Sequence, residues 1–130
     1  MTKKIWLAIL CFLPSCLIAQ ELLLFGGSGN KEFLGCLNCS EYSSNSVWNN
    51  YSIYGWGNSY GIWNPFGIYG GKYSSYSPCN EYSSNGPVIV DKEGKFYGTL
   101  SINEYVSGSV CGILGNAQIC KALKAMCSKN

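Results

Sequence analysis

Cys36 and Cys39 form the one C-x-x-C motif outside the first 19 residues, a spacing used by redox dithiols and zinc sites. A thioredoxin-type dithiol lies at the N-terminus of a helix, where the helix end lowers the thiol pKa. Here the motif lies in a stretch with the alternation of a β-strand. Residues three apart on a strand point to opposite faces, so we expect the two sulfurs to join different partners. Structural disulfides are therefore preferred, and a redox dithiol or a zinc ion held by thiolates is the alternative.

Glu41, Glu81 and Glu104 are the other candidates for chemistry, and each precedes a tyrosine. A glycosidase needs two carboxylates about 5–10 Å apart, one of them with a raised pKa, and nothing near these residues predicts the necessary burial. The chain has no histidine, which excludes Ser–His–Asp and Cys–His sites and zinc bound by histidine. We therefore predict no catalytic residue, no metal site and no cofactor.

The first 19 residues have the organisation of a signal peptide. Lys3 and Lys4 precede the apolar run "IWLAILCFL", and Ala19 supplies a small residue at the cleavage point. Pro14 ends the run before the roughly 18–20 residues of a membrane span. The sequence thus predicts residues 1–19 as a removed signal and 20–130 as one secreted or periplasmic domain. Lipid attachment at Cys16, within "LPSC", is the alternative.

The remaining chain is formally neutral, with seven lysines, seven acidic residues and no arginine. This balance excludes a nucleic-acid partner, which requires a basic surface. Six cysteines in an exported domain predict three disulfides, with pairings that the spacing leaves open. They are Cys36, Cys39, Cys79, Cys111, Cys120 and Cys127.

Two matched stretches, "FLGCLNCSEY" at 33–42 and "FYGTLSINEY" at 96–105, each follow an apolar run and a glycine-containing turn. They predict β-hairpins within 20–42 and 87–105, combined into one antiparallel sheet of about four strands. Residues 106–130 read as a loop and a helix over 116–129, capped by Asn116. We therefore predict a disulfide-stabilised α+β fold with an aromatic insertion at 43–86.

The insertion contains three units rich in aromatic residues, Ser, Asn and Gly: "YSSNSVWNNYSIYG", "GNSYGIWNPFGIYG" and "YSSYSPCNEYSSNG". Such units predict turns and short extended pieces, each with its aromatic turned inward. Trp48 and Trp63 occupy one phase, and the tryptophans Trp48, Trp56 and Trp63 are predicted core residues. Four tyrosines outside that phase are predicted to form an exposed ligand surface, since aromatic faces stack on sugar rings: Tyr54, Tyr60, Tyr69 and Tyr76.

The run from "YSSNSVWNNYSIYG" to "GPVIVDKEGKFYG" resembles a loose group of uncharacterised exported bacterial proteins. Their chains carry Y-S-S-x-S-x-W-N-x-Y-G-x-Y-G units, then an apolar strand, D-x-x-G and F-Y-G. The resemblance covers about residues 33–105 and implies export and architecture, with no activity attached. The cysteine-rich C-terminal tail departs from the pattern.

These observations predict a secreted or cell-surface binding or structural module without enzymatic activity. Its expected partner is a glycan or a cell-envelope polymer bound through exposed aromatic residues. A small extracellular hydrolase or an enzyme inhibitor is the alternative function.

Overall fold

The structure is a computed structural model that describes residues 20–129, so the predicted signal peptide lies outside the described residues. The elements, in chain order, are β1 (Leu23–Gly26), a 3-10 turn (Ser28–Asn30), β2 (Glu32–Cys36), β3 (Val88–Val90), β4 (Phe96–Thr99) and α1 (Ala117–Cys127). The strands form one antiparallel sheet in the order β2-β1-β3-β4. The predicted α+β class, with two hairpins and a C-terminal helix, is confirmed.

The centre of the sheet is held by aliphatic side chains that alternate along the strands. Leu24 pairs with Ile89 across the two central strands, and both are fully buried, as is Leu34 of β2. Gly35 and Gly98 have positive φ values of 109° and 133°. A Cβ atom at these glycines would lie 3.0 Å and 2.9 Å from a backbone oxygen of the following segment, which explains why glycine is needed at both.

Residues 40–83, here called the triplet coil, form a continuous series of β-turns. The backbone N–H of every third residue, from Ser43 to Ser83, donates to a carbonyl oxygen three residues earlier, with one extra residue at Gly70–Gly71. This confirms the expected turns. The period of three differs from both the strand period of about two and the helix period of about 3.6.

Ser, Asn and Gly at the first position of each triplet explain why this segment turns. The Ser46 hydroxyl accepts a hydrogen bond from the N–H of Trp48 at 3.0 Å, and the Asn49 amide accepts one from Tyr51 at 2.9 Å. Such side-chain bonds to the backbone two residues later stabilise turns. Where glycine occupies the first position, there is no room for a side chain. A Cβ on Gly55 would lie 2.1 Å from the Asn49 backbone oxygen.

Helix α1 begins as predicted, because the Asn116 side chain accepts a hydrogen bond from the N–H of Ile119 at 3.0 Å. Leu123 is its buried residue, while Lys121 and Lys124 are exposed on the opposite side. One apolar stripe therefore attaches the helix to the core.

The cysteines form three disulfides, Cys36–Cys39, Cys79–Cys127 and Cys111–Cys120. The second ties the end of α1 to the triplet coil. The first corrects the expectation that Cys36 and Cys39 join different partners. Strand β2 ends at Cys36 itself, so the next residues bend and bring the two sulfurs together.

Candidate functional site

The four tyrosines predicted to bind ligand do lie together, in one row along the triplet coil. Ring centroids are 6.4 Å apart from Tyr54 to Tyr60, 6.1 Å from Tyr60 to Tyr69 and 6.4 Å from Tyr69 to Tyr76. Phe33 of β2 extends the row, with its ring 5.1 Å from that of Tyr54. The row joins the sheet to the far end of the coil.

The row is less exposed than predicted. Tyr60 is 38% exposed and Tyr69 only 7%, and Tyr54 and Tyr76 are half-buried. Burial, and to a lesser extent the Glu32 carboxylate, raises the pKa of the Tyr69 phenol above its ordinary value. Most of the row therefore serves as packing, and the expectation of an exposed surface at Tyr69 is wrong.

One end of the row opens on a cleft with a volume of about 660 Å³. It is formed by the β1–β2 turn, by the last part of the triplet coil with the residues that lead into β3, and by the end of β4 with the segment that follows it. Its lining consists of Gly27, Ser28, Gly29, Asn30, Tyr76, Ser84, Asn85, Gly86, Val88, Thr99, Asn103, Tyr105, Val106 and Ser107.

The lining contains neutral hydrogen-bonding groups and aromatic rings, without a carboxylate, lysine or arginine. The side-chain amides of Asn30 and Asn85 make no hydrogen bond within residues 20–129, so both can donate to and accept from a ligand. Asn30 also has a left-handed backbone, with φ of 55°. Such conformations are uncommon outside glycine, and asparagine tolerates them well.

Tyr105 stands on a fixed turn at the edge of this cleft. The Asn103 amide oxygen accepts a hydrogen bond from the Tyr105 N–H at 3.1 Å, and its Nδ2 donates to the Ser83 oxygen at 3.0 Å. The Tyr105 side chain is 89% exposed. The hydrogen bonds of the Asn103 side chain therefore fix the backbone at Tyr105, while the Tyr105 ring is available to a ligand.

Trp56, predicted as a core residue, is 51% exposed, and the expectation that each unit turns its aromatic residue inward is also wrong for three further coil residues. Tyr51, Phe66 and Tyr82 are 99%, 94% and 84% exposed. Each follows an asparagine by two residues and donates its backbone N–H to that asparagine's amide oxygen, as Tyr105 does. The pattern Asn-x-aromatic is the sequence signal that could have identified them.

The three glutamates are all exposed and lack the burial that a general acid requires. Glu81 and Glu104 do line one shallow groove together with Tyr82 and Tyr105. Glu41 does not line that groove.

Glu21 has a carboxylate oxygen within 4.8 Å of the sulfurs of Cys36 and Cys39, a grouping that could hold a metal ion. Both sulfurs are bonded to each other, and a metal requires free thiolates. The oxidised protein therefore presents a disulfide at this position.

No protein-family model, curated protein or solved structure matches this chain. Within residues 20–129, no helix has the length and apolar character needed to cross a membrane.

Proposed function

We propose that this protein is an exported, non-enzymatic binding module that recognises a neutral glycan or cell-envelope polymer. The observation that carries the proposal is the cleft of about 660 Å³, lined by asparagine amides, hydroxyls and two tyrosines without an ionic side chain. Sugars offer apolar ring faces surrounded by hydroxyls. Aromatic rings and neutral donors and acceptors complement both features, whereas an ionic ligand would call for an opposite charge.

Within this proposal, Tyr76 and Tyr105 contact the sugar rings, and Asn30 and Asn85 bind its hydroxyls. Tyr54, Tyr60 and Tyr69 support Tyr76 from behind through ring contacts. Of the four predicted tyrosines, Tyr76 thus contacts the ligand, and the other three pack behind Tyr76.

The proposal is tested with the oxidised protein on an array of neutral and charged glycans, followed by calorimetry on the best neutral oligosaccharide. Tyr105→Ala should weaken binding by roughly tenfold or more, since one exposed ring supplies a large part of the apolar contact. Tyr42→Ala is the matched control, because Tyr42 occupies the corresponding position in the first matched stretch, is 86% exposed and lies outside the cleft. Binding restricted to charged glycans, or equal losses in both variants, would contradict the proposal.

Export is supported by Lys3 and Lys4, the apolar run after them, and the three disulfides. Intact-mass analysis of the protein from its native source should give a chain that begins at or near Gln20 and lies about six protons below the reduced mass. A retained Met1 or free thiols would oppose secretion, and a lipid on Cys16 would favour the anchored alternative.

A hydrolase remains the second candidate because Glu81 and Glu104 line one groove. Glycan hydrolysis that is lost in a folded Glu81→Gln protein would replace the binding module with this alternative. Under our proposal the variant binds glycan like the unmodified protein, and no shortened glycan appears on prolonged incubation.

A further inference from the structure

The loop before α1 exposes two aliphatic side chains at its tip. Ile113 and Leu114 are 101% and 98% exposed, which is the exposure of free side chains. The Cys111–Cys120 disulfide closes this loop, and the N–H of Gly115 donates to the Gly112 oxygen at 3.0 Å across the tip. A closed loop thus holds Ile113 and Leu114 in solvent, where their apolar side chains remain exposed to water.

The charged side chains that line the groove beside the tip are both lysines. From Tyr105 to the C-terminus the sequence has three lysines and no acidic residue. Ile113 lines the same groove as Lys121 and Lys124 of α1, and both lysines are exposed. Glu81 shares a neighbouring groove with Lys124, and the Glu104 backbone adjoins Gly112. Within residues 20–129 neither lysine forms an ion pair with these or other carboxylates, so both are available to an external anion.

We propose that the Ile113–Leu114 tip docks on an anionic lipid surface. Two aliphatic side chains enter the boundary between headgroups and acyl chains, and Lys121 and Lys124 contact the negative headgroups. Weak interfacial anchors work through this combination, because a short apolar element and a small basic patch are each too weak alone. Charge complementarity favours lipid over a second copy of this chain, whose own tip would carry the same lysines.

The test is co-sedimentation of the oxidised protein with phosphatidylcholine vesicles, with and without about one third phosphatidylglycerol. Binding should require the anionic lipid and weaken as salt is raised. The double variant I113N/L114N should lose at least about tenfold in partition coefficient, since two apolar side chains no longer leave water. K121Q/K124Q should lose roughly 25-fold in partition coefficient, at about fivefold per lysine, and most of the salt dependence.

The matched control is I53N/I68N, because Ile53 and Ile68 are also exposed aliphatic residues, at 55% and 58%, but lie on the triplet coil. It should bind vesicles like the unmodified protein. All variants alter exposed side chains, and unchanged thermal midpoints would show that they remain folded. The proposal is overturned if anionic vesicles do not bind, if the control loses as much as the tip variant, or if sedimentation instead shows a dimer that only I113N/L114N abolishes.

Discussion

Asn103 donates a hydrogen bond from Nδ2 to the backbone oxygen of Ser83 at 3.0 Å, across 20 positions of sequence. Inside the triplet coil the same type of bond reaches back only six positions, as from Asn49 to Ser43 at 3.0 Å. Asn103 therefore continues the coil's hydrogen-bonding pattern after the β3–β4 hairpin has been inserted. This contact joins two walls of the candidate cleft.

Replacing Asn103 by alanine should lower the free energy of unfolding by about 1–3 kcal/mol. The substitution removes its bond to Ser83 and the bond that its amide oxygen accepts from Tyr105, and it leaves backbone groups without partners. Denaturant unfolding measures the change. Asn50→Ala is the control, because Asn50 is exposed and its side chain makes no hydrogen bond within residues 20–129. Equal stabilities of the two variants would contradict this assignment.

The three disulfides should contribute unequally, in the order of the loops that they close. Sequence separations are 48 for Cys79–Cys127, nine for Cys111–Cys120 and three for Cys36–Cys39. Loop-closure entropy then gives about 4, 2.5 and 1.5 kcal/mol respectively. Paired serine substitutions, one disulfide at a time, test the order by denaturant unfolding. A Cys36–Cys39 variant less stable than the Cys79–Cys127 variant would contradict it.

The hairpins and the helix could be predicted because their signals are local. Apolar runs beside glycine turns determine β1–β2 and β3–β4, and Asn116 with one apolar stripe determines α1. The Cys36–Cys39 pairing could not be predicted in the same way. It depends on where strand β2 ends, and element boundaries are the weakest part of a sequence interpretation.

The sequence also could not predict which aromatic side chains of the coil point inward and which point into solvent. Rules for helices and strands assume periods of about 3.6 or two, whereas the coil repeats every three residues and shifts by one at Gly70–Gly71. The expectation of inward aromatic residues therefore fails at Tyr51, which is 99% exposed. The cleft depends on contacts such as Asn103 to Ser83, which no local pattern reveals.

Asp91 should make the β3–β4 hairpin sensitive to acid. A hydrogen bond from the Lys95 N–H is the main reason that the pKa of the Asp91 carboxyl lies below its ordinary value. Hydrogen bonds from the Tyr97 hydroxyl and the Glu93 N–H lower this pKa further. A depressed folded-state pKa gives stability that is present above the unfolded pKa of about 3.9 and is lost as pH falls through the folded value.

We therefore expect unfolding midpoints to fall below about pH 4, and to fall less steeply in Asp91→Asn, which keeps an acceptor but does not titrate. Glu93→Gln is the control, because the Glu93 side chain is exposed and makes no hydrogen bond within the described range. Identical pH profiles for Asp91→Asn and the unmodified protein would show that Asp91 does not link folding to protonation.

Substitutions at Trp48 and Trp63 test whether the triplet coil is packed around an aromatic core. Their ring centroids are 5.1 Å apart, Trp63 is 4% exposed, and the Trp48 Nε1 donates to the Leu37 oxygen at 2.7 Å. Truncation of the buried Trp63 to alanine should cost about 3–5 kcal/mol, because a large cavity opens, and truncation of the half-buried Trp48 should cost less.

Tyr51→Ala and Phe66→Ala are the controls, since these rings are 99% and 94% exposed, and each should change stability by no more than about 0.5 kcal/mol.

Trp63→Phe separates the effect of the indole N–H from that of the ring's packing. The Trp63 indole N–H is buried without an acceptor within residues 20–129, so its removal relieves a cost that partly offsets the lost packing. Trp63→Phe should therefore be much milder than Trp63→Ala. Unchanged melting midpoints in both alanine variants, together with lost glycan binding, would show that the two tryptophans form a binding face and not a core.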